Sequence, residues 1–320
     1  MKRISQSAFA FLALAFLWAT SAAADGVIRP VGWRDAGGDK FNGENGKEKW
    51  GDPACDSLWV NDGGLVFGIE GLLFKYHRAD GVRAGSYSNV PPASTDDVEF
   101  DHMLTPRITL GYVSEGGLGF RVRWWQYDQQ GDPVFPATGV GMSVETDTLD
   151  LELFEVINLS ERWTVEVSGG FRYNTFDELM TDPVPGATRL NAFEGWGGIV
   201  GLEGRRSLGV WGGLYARARA AVMMDDKLVL HTRSEEPEQN ALLLDSTLGM
   251  TELAVGYEIS RLVRRSCVTF RTGYEWQNWY NYSSAFTPVT TTPPGNPPSS
   301  FAGSTDVGFG GITLALLIER

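Results

Sequence analysis

The chain has few of the residues that most catalytic and metal sites use, with three histidines and two cysteines among 320 residues. No cluster of these residues has the spacing of metal ligands, so we predict neither a metal site nor a cofactor. Basic residues are also scarce, at 27 against 40 acidic ones. Because phosphate binding requires clustered lysine and arginine, we predict that nucleic acid is not a partner.

Long apolar runs are absent after residue 24, and none approaches the about 20 residues that a membrane-spanning helix needs. The first 24 residues differ. Lys2 and Arg3 precede a short apolar stretch that ends in small residues at 21–24. This order is typical of a secretory signal peptide that is cleaved after Ala24. We therefore predict a signal peptide over residues 1–24, with an uncleaved anchor helix as the alternative.

Apolar and polar residues alternate from residue 65 onward. In 118–124, for example, Phe120 and Trp124 share one face while Arg121 and Arg123 share the other. This period of two is typical of strands with one apolar and one polar face. The pattern predicts ten strands, at 65–77, 106–115, 117–128, 145–158, 161–176, 191–204, 207–223, 246–260, 264–280 and 305–319.

The connections between these predicted strands alternate in length. Four are tight, near 115–117, 159–161, 205–206 and 261–264, and the others are long and polar. This alternation is typical of bacterial outer-membrane barrels, which have short periplasmic turns and long outer loops. Because lipid cannot satisfy free backbone groups, such a sheet must close on itself. We predict an all-β, closed antiparallel transmembrane barrel over residues 65–320, with ten strands and a range of eight to twelve, in the bacterial outer membrane.

Residues 25–64 lack the alternation and are predicted to form a polar N-terminal extension. Cys55 lies in this extension, and Cys267 lies near the start of the ninth predicted strand. The predicted topology places both at the periplasmic rim, in an oxidising compartment. A disulfide between them is one expectation, and two separate thiols are the alternative.

Charged residues on the predicted strands share the face opposite to the apolar one. Arginine on the lipid face costs about 2–4 kcal/mol at mid-depth, so we place these charges in the lumen. They either form a charged pore that sorts solutes by sign or neutralise one another in a plugged lumen. The candidate lumen-lining residues are Arg121, Arg123, Asp150, Glu152, Glu166, Arg172, Arg217, Arg219, Glu252, Glu258, Arg271 and Glu275.

Aromatic residues gather at the ends of several predicted strands, where rings of this kind prefer the membrane boundary. They predict an aromatic girdle at the outer boundary and one residue at the inner boundary. The outer residues are Trp124, Trp125, Tyr127, Trp276, Trp279 and Tyr280, and the inner residue is Trp163.

The three histidines, His77, His102 and His231, fall at the outer side of the predicted barrel. A lipid hydrolase at the rim would need one of them beside a serine and an acid. Nothing in their spacing singles out such a set. We therefore predict no catalytic residues and a protein that is not an enzyme, and we keep the rim hydrolase as an alternative.

Four segments resemble a known family. Segments 271–281 (RTGYEWQNWYN) and 306–314 (DVGFGGITL) look like the closing strands of the Legionella-type major outer-membrane protein family. Segments 118–124 (LGFRVRW) and 168–173 (SGGFRY) are similar to its earlier strands. The resemblance implies a pore-forming barrel for the passive passage of small solutes or ions, and it supplies no catalytic residues.

The expected partners follow from this fold. They are outer-membrane lipid, the barrel-insertion machinery and small solutes, and a homo-oligomer is a further expectation. A closed structural or adhesion barrel with surface loops is the alternative to the pore.

Overall fold

The computed structural model describes residues 63–78, 98–133, 141–160, 162–181, 188–209, 212–233, 236–263, 266–283 and 304–320. The predicted signal peptide, nearly all of the predicted N-terminal extension and Cys55 lie outside these residues. No helix long and apolar enough to cross a membrane occurs in the described part of the chain.

The described residues form strands joined by turns. The strands are β1 (Gly64–Arg78), β2 (Val98–Glu99), β3 (Met103–Val113), β4 (Leu118–Pro133), β5 (Gly141–Ser160), β6 (Trp163–Thr181), β7 (Thr188–Ser207), β8 (Gly213–Arg233), β9 (Glu236–Val263), β10 (Ser266–Ser283) and β11 (Ser304–Glu319).

Ten of these strands close into an antiparallel barrel. Each pairs with its neighbour in the chain, apart from the two-residue β2, which pairs with β4 alone. The ring closes where β1 pairs with β11, from Val66 opposite Glu319 to Arg78 opposite Val307. At the end of this seam, Leu65 and Arg320 exchange two backbone hydrogen bonds of 2.8 and 3.0 Å. The predicted ten-stranded closed barrel is confirmed.

The connections at one end of the barrel are tight. Between β3 and β4 the chain turns through Gly117, whose φ of 84° suits a glycine because it has no side chain to clash. Its carbonyl accepts a hydrogen bond of 3.0 Å from Val156 N on β5. Short turns mark the periplasmic end of outer-membrane barrels, so the opposite end is the outer one.

Several strands run further toward the outer end than the sequence predicted. The prediction left residues 129–144 and 224–245 in loops, whereas β4 and β5 leave only 134–140 between them and β8 and β9 leave only 234–235. The cause is chemical. In the extension of β4 the outward residues Gln130 and Asp132 are polar and exposed, so the sequence there reads as a loop rather than as a lipid-facing strand.

The outward face of the barrel carries an apolar band. On β1 it runs from Leu65 to Leu73, close to the about 9–11 residues with which a tilted strand crosses a membrane. Beyond Leu73 the outward residues become Lys75 and His77. Exposed members of the band on other strands include Leu104, Leu118, Leu153, Val167, Phe171, Val200, Leu214, Leu253, Val255, Phe270, Ile312 and Leu314.

Placing a charge within this band is expected to destabilise the protein. For Val255→Arg, which lies inside the band on β9, we expect a loss of about 2–4 kcal/mol in the free energy of unfolding. Gln126→Arg, on the polar outer extension, is the control and should change it by less than about 0.5 kcal/mol. Urea unfolding in phosphocholine vesicles measures both. Equal effects would contradict this position of the membrane.

Three residues of the predicted girdle were assigned to the wrong face. Trp125, Tyr127 and Trp279 are fully or almost fully buried inside the barrel. Because side chains alternate along a strand, Trp125 and Tyr127 share the inward face of Arg123, and Trp279 shares that of Glu275.

The remaining girdle residues lie on the outward face. Trp276, Tyr280 and Trp163 are exposed, and Trp124 is half-buried. The girdle prediction missed Trp196 on β7, which is 51% exposed and packs against Tyr173 with ring centroids 4.6 Å apart.

Cys267 lies near the periplasmic end of β10 and is buried on the inward face. It is disulfide-bonded. The predicted bond to Cys55, the second of the two cysteines, would account for this state, but Cys55 lies outside the described residues and the pairing stays a prediction.

Candidate functional site: the barrel interior

The interior is built in levels that differ in chemistry. We call the central level the ion-pair layer. A smaller group of charges lies on its periplasmic side, and an aromatic layer lies on its outer side. The ion-pair layer consists of Glu70, Arg107, Arg123, Asp150, Glu152, Arg172, Arg217, Arg219, Glu252 and Glu275.

Glu275 of β10 joins two arginines from distant strands. Its carboxylate accepts hydrogen bonds of 2.5 and 2.9 Å from Arg107 of β3 and one of 2.7 Å from Arg217 of β8. Arg107 also donates to Glu70 at 3.2 Å. Since β3, β8 and β10 are not neighbours in the sheet, these bonds cross the lumen and tie its walls together.

A second set of bonds crosses the lumen at Arg219 of β8. Its guanidinium donates to Asp150 at 2.7 Å, to Glu252 at 3.2 Å and to Glu152. Asp150 also accepts two bonds of 2.6 and 2.8 Å from Arg172 of β6. The carboxylates of the layer therefore each serve more than one arginine, which is how buried charges are kept from being left unpaired.

The periplasmic group continues the same chemistry toward the short turns. Arg121 contacts Glu152 at 2.7 Å and Glu166 at 2.6 Å. Arg271 contacts Glu258 at 2.9 Å and, at 3.0 Å, Glu203. The interior of the membrane-spanning section is thus lined by charges of both signs.

A small cavity lies inside the ion-pair layer. Its volume is about 10 Å³, which is room for about one water molecule. Three arginines that line it each have a buried nitrogen without a hydrogen-bond partner among the described residues: Arg123 Nε, Arg172 Nη1 and Arg219 Nε. Buried donors of this kind usually bind water, so the layer is arranged to hold water at its centre.

The aromatic layer fills the lumen on the outer side of the charges. At its centre Phe309 of β11 contacts Tyr127 and Phe176, with ring centroids 4.8 and 6.0 Å away. Phe176 in turn packs against Tyr282 at 4.4 Å and Trp279 at 5.6 Å. The layer consists of Phe74, Tyr76, Phe100, Trp125, Tyr127, Phe176, Phe193, Trp279, Tyr282 and Phe309, all buried.

This aromatic layer lies at the level of the polar outer extensions. Phe74 follows Leu73, the last outward apolar residue of β1, and Trp125 follows Trp124 on β4. The barrel therefore reverses its faces along its axis. In the membrane it is apolar outside and charged inside. Beyond the membrane it is polar outside and mainly aromatic inside, with one buried ion pair, Arg78 with Glu178, next to Tyr76.

The candidate lumen-lining residues all have interior positions. Most are buried, while Arg121 and Glu258 are half-buried near the periplasmic end. Glu70, Arg107 and Glu203 also line the lumen and were not predicted from the sequence. The sequence does contain a signal for Arg107. Ile108 and Leu110 are apolar and face outward, and since side chains alternate along a strand, Arg107 must face inward.

The histidines do not form a catalytic or metal-binding set in the described part of the chain. His77 and His102 are exposed. His231 lies in β8, but its side chain is outside the described residues. No group of histidine, cysteine and carboxylate residues suited to a metal ion occurs among those that the structure describes.

A family described as the Legionella pneumophila major outer membrane protein precursor matches residues 62–318. No curated protein matches the chain.

Solved structures show likeness at low identity. A major outer membrane protein from Thermus thermophilus has 10% identity and a TM-score of 0.38, with 81% of this chain and 99% of that chain covered. The outer membrane protease OmpT from Escherichia coli has 10% identity and a TM-score of 0.42, with coverage of 80% and 95%. The toluene transporter TodX from P. putida has 9% identity and a TM-score of 0.35, with coverage of 84% and 92%.

Proposed function

We propose that this chain, which belongs to the Legionella pneumophila major outer membrane protein family, forms a pore for small ions or solutes. In the structure this pore is closed. The protein is a β-barrel of the bacterial outer membrane. The observation that carries the pore is the charged lining of the membrane-spanning section. Filling that section with apolar side chains would often be as stable as ion pairs or more so, and the aromatic layer shows that this chain can build such a filling.

A permanently closed structural barrel is the second candidate, and the aromatic layer favours it. An eight-stranded barrel is about filled by its own side chains, whereas about 16 strands leave an open channel. With ten strands, the layer around Phe309 fills the outer part of the lumen, and the cavity between the charges has room for about one water molecule. The two candidates differ in whether the aromatic layer opens.

Planar-bilayer recording of the purified mature protein tests the proposal. We expect small, brief conductance steps separated by long closed intervals. The charged walls attract ions, whereas the aromatic layer keeps most of the barrels closed at any moment. A preparation of the same protein that has been denatured by heat is the control. If folded protein gives no steps above that control, the pore is wrong and the closed structural barrel takes its place.

We propose further that the protein is not an enzyme. The interior residues that approach one another are paired acids and arginines rather than a nucleophile beside a base. Family membership, with the outer membrane as its location, is consistent with this proposal.

A further inference from the structure

Two glycines form the floor of a trench on the outward face of β11. Gly308 lies between His77 of β1 and Asn278 of β10 in the register of the sheet, and Gly310 lies beside Trp276 of β10. A glycine has no side chain, so side chains of β10 can lie across the strand here. A methyl group added at Gly308 would lie 3.3 Å from Trp276 Nε1, and one added at Gly310 would lie 3.0 Å from the Tyr274 hydroxyl. The result is a pocket of about 360 Å³, within the usual size of small-molecule sites, about 300–1,000 Å³.

The trench lies across the outer boundary of the membrane. Its lower end adjoins Ile312, an exposed member of the apolar band on β11 that pairs with Tyr274. Its upper end reaches Asp306 and His77, where the outward face is already polar. A ligand in the trench would therefore touch lipid at one end and water at the other.

The side chains of the trench change from aromatic to polar along this direction. Tyr274 and Trp276 form the wall of the lower part, and both are 56% exposed. His77, Asn278 and Asp306 surround the upper part. This gradient matches an amphipathic molecule whose apolar chain lies in the membrane and whose head group lies at its surface.

The polar end favours hydroxyl groups over phosphate. Asn278 both donates and accepts hydrogen bonds, His77 can do either, and the Asp306 carboxylate only accepts. A hydroxyl group both donates and accepts, so it can satisfy both kinds of partner, whereas a phosphate diester has no donor to offer a carboxylate.

Two described cations lie beside the trench, Arg78, which lines it, and Lys75, and each is paired with a carboxylate. The Arg78 guanidinium contacts Glu178 inside the barrel at 2.9 Å, and Lys75 Nζ contacts Glu99 at 2.9 Å. Each positive charge is therefore already balanced by a carboxylate, which further favours an uncharged head group.

We propose that this trench binds one glycolipid of the outer leaflet that has an uncharged sugar head group. Its sugar head group lies at His77, Asn278 and Asp306, and its acyl chain runs down past Trp276 and Tyr274 into the membrane. The indole of Trp276 offers an apolar face to the sugar ring while its edge stays at the boundary, where tryptophan is favoured. The site is on the outside of the barrel, so it is independent of whether the lumen conducts.

Native mass spectrometry of the full mature protein tests this site, with a monoglucosyl diacylglycerol, whose head group is an uncharged sugar, as the probe. We expect one bound molecule per wild-type barrel. Trp276→Ala should weaken binding about tenfold, the change that corresponds to about 1.4 kcal/mol. Trp196→Ala is the matched control, because Trp196 is an outward tryptophan of similar exposure on β7. A similar loss for both variants would overturn the proposal.

A second variant fills the trench and keeps the indole. A methyl group added at Gly310 would lie 3.0 Å from the hydroxyl of Tyr274. Gly310→Ala therefore narrows the trench, and the flexible side chain of Tyr274 shifts to make room. We expect it to weaken binding as well. Unchanged binding to Gly310→Ala, in protein whose electrophoretic mobility still shifts on heating as folded barrels do, would contradict the trench as the site.

The head group is tested by competition between two detergents with the same chain. Dodecyl maltoside should displace the bound glycolipid at a concentration about tenfold lower than dodecyl phosphocholine does, because its head group carries hydroxyls and no phosphate. Equal displacement by the two detergents would mean that only the chain is recognised, and would overturn the assignment of the sugar.

Discussion

Removing the centre of the aromatic layer should raise the ionic current through the barrel about tenfold. In the double variant Phe176→Ala, Phe309→Ala, the two rings that join the layer are lost. Truncating one buried phenylalanine costs about 3–5 kcal/mol, and this cost falls on the closed state. About 1.4 kcal/mol corresponds to a tenfold change in a population, so a part of this destabilisation of the closed state is enough to raise the open population tenfold. The mean current in planar bilayers measures it.

The matched control for this variant is Phe171→Ala, Phe270→Ala. These two phenylalanines lie on the outward face and are 70% and 48% exposed, so the control removes the same number of rings without touching the lumen. It should leave the current at the wild-type level. If the two double variants conduct equally, the aromatic layer is not the barrier.

The second large effect is expected at the ion-pair layer. Glu275→Gln removes the charge that Arg107 and Arg217 share, and it leaves two buried guanidinium groups with a weaker partner. Breaking a buried ion pair from one side costs about 3–5 kcal/mol. We expect a loss of this size in the free energy of unfolding, measured by urea titration in detergent micelles with the heat-dependent gel shift as the readout.

The pair between Lys75 and Glu99 supplies the control. It has a similar distance, 2.9 Å, but the Glu99 side chain is 65% exposed. Exposed ion pairs contribute about 0–1 kcal/mol, so Glu99→Gln should change the free energy of unfolding by less than about 1 kcal/mol. A loss of only that size for Glu275→Gln would show that water screens the interior, as in a wide and hydrated channel.

The alternation of apolar and polar residues was enough to predict the barrel, because only the apolar face of a strand can lie against lipid. Wherever the outward residues are apolar, as in β1 from Leu65 to Leu73, the phase and the inward charges could be predicted. Arg219 and Glu252 were predicted inside for this reason. Which carboxylate Arg219 contacts depends on the closure of ten strands into one ring, and no local pattern contains that information.

The aromatic layer could not be predicted by the same reasoning. Trp124 and Trp125 are adjacent, and membrane-boundary preference applies to both in the sequence, but only one of them can face lipid. Beyond the membrane the outward side turns polar, so the reversed faces of β4 and β5 resemble a loop. The signal that was available is the period itself, since Trp125 and Tyr127 continue the inward phase of Arg121 and Arg123.

The seam between β1 and β11 has a consequence for how the barrel is assembled. Other neighbouring strands are close in the chain and can pair as hairpins, but Val66 must find Glu319 at the far end of the sequence. Contacts of such high sequence separation form slowly. Until this seam forms, β1 and β11 are both strand edges with unpaired backbone groups. Both edges therefore stay open to pairing with other strands until the chain's own two ends meet.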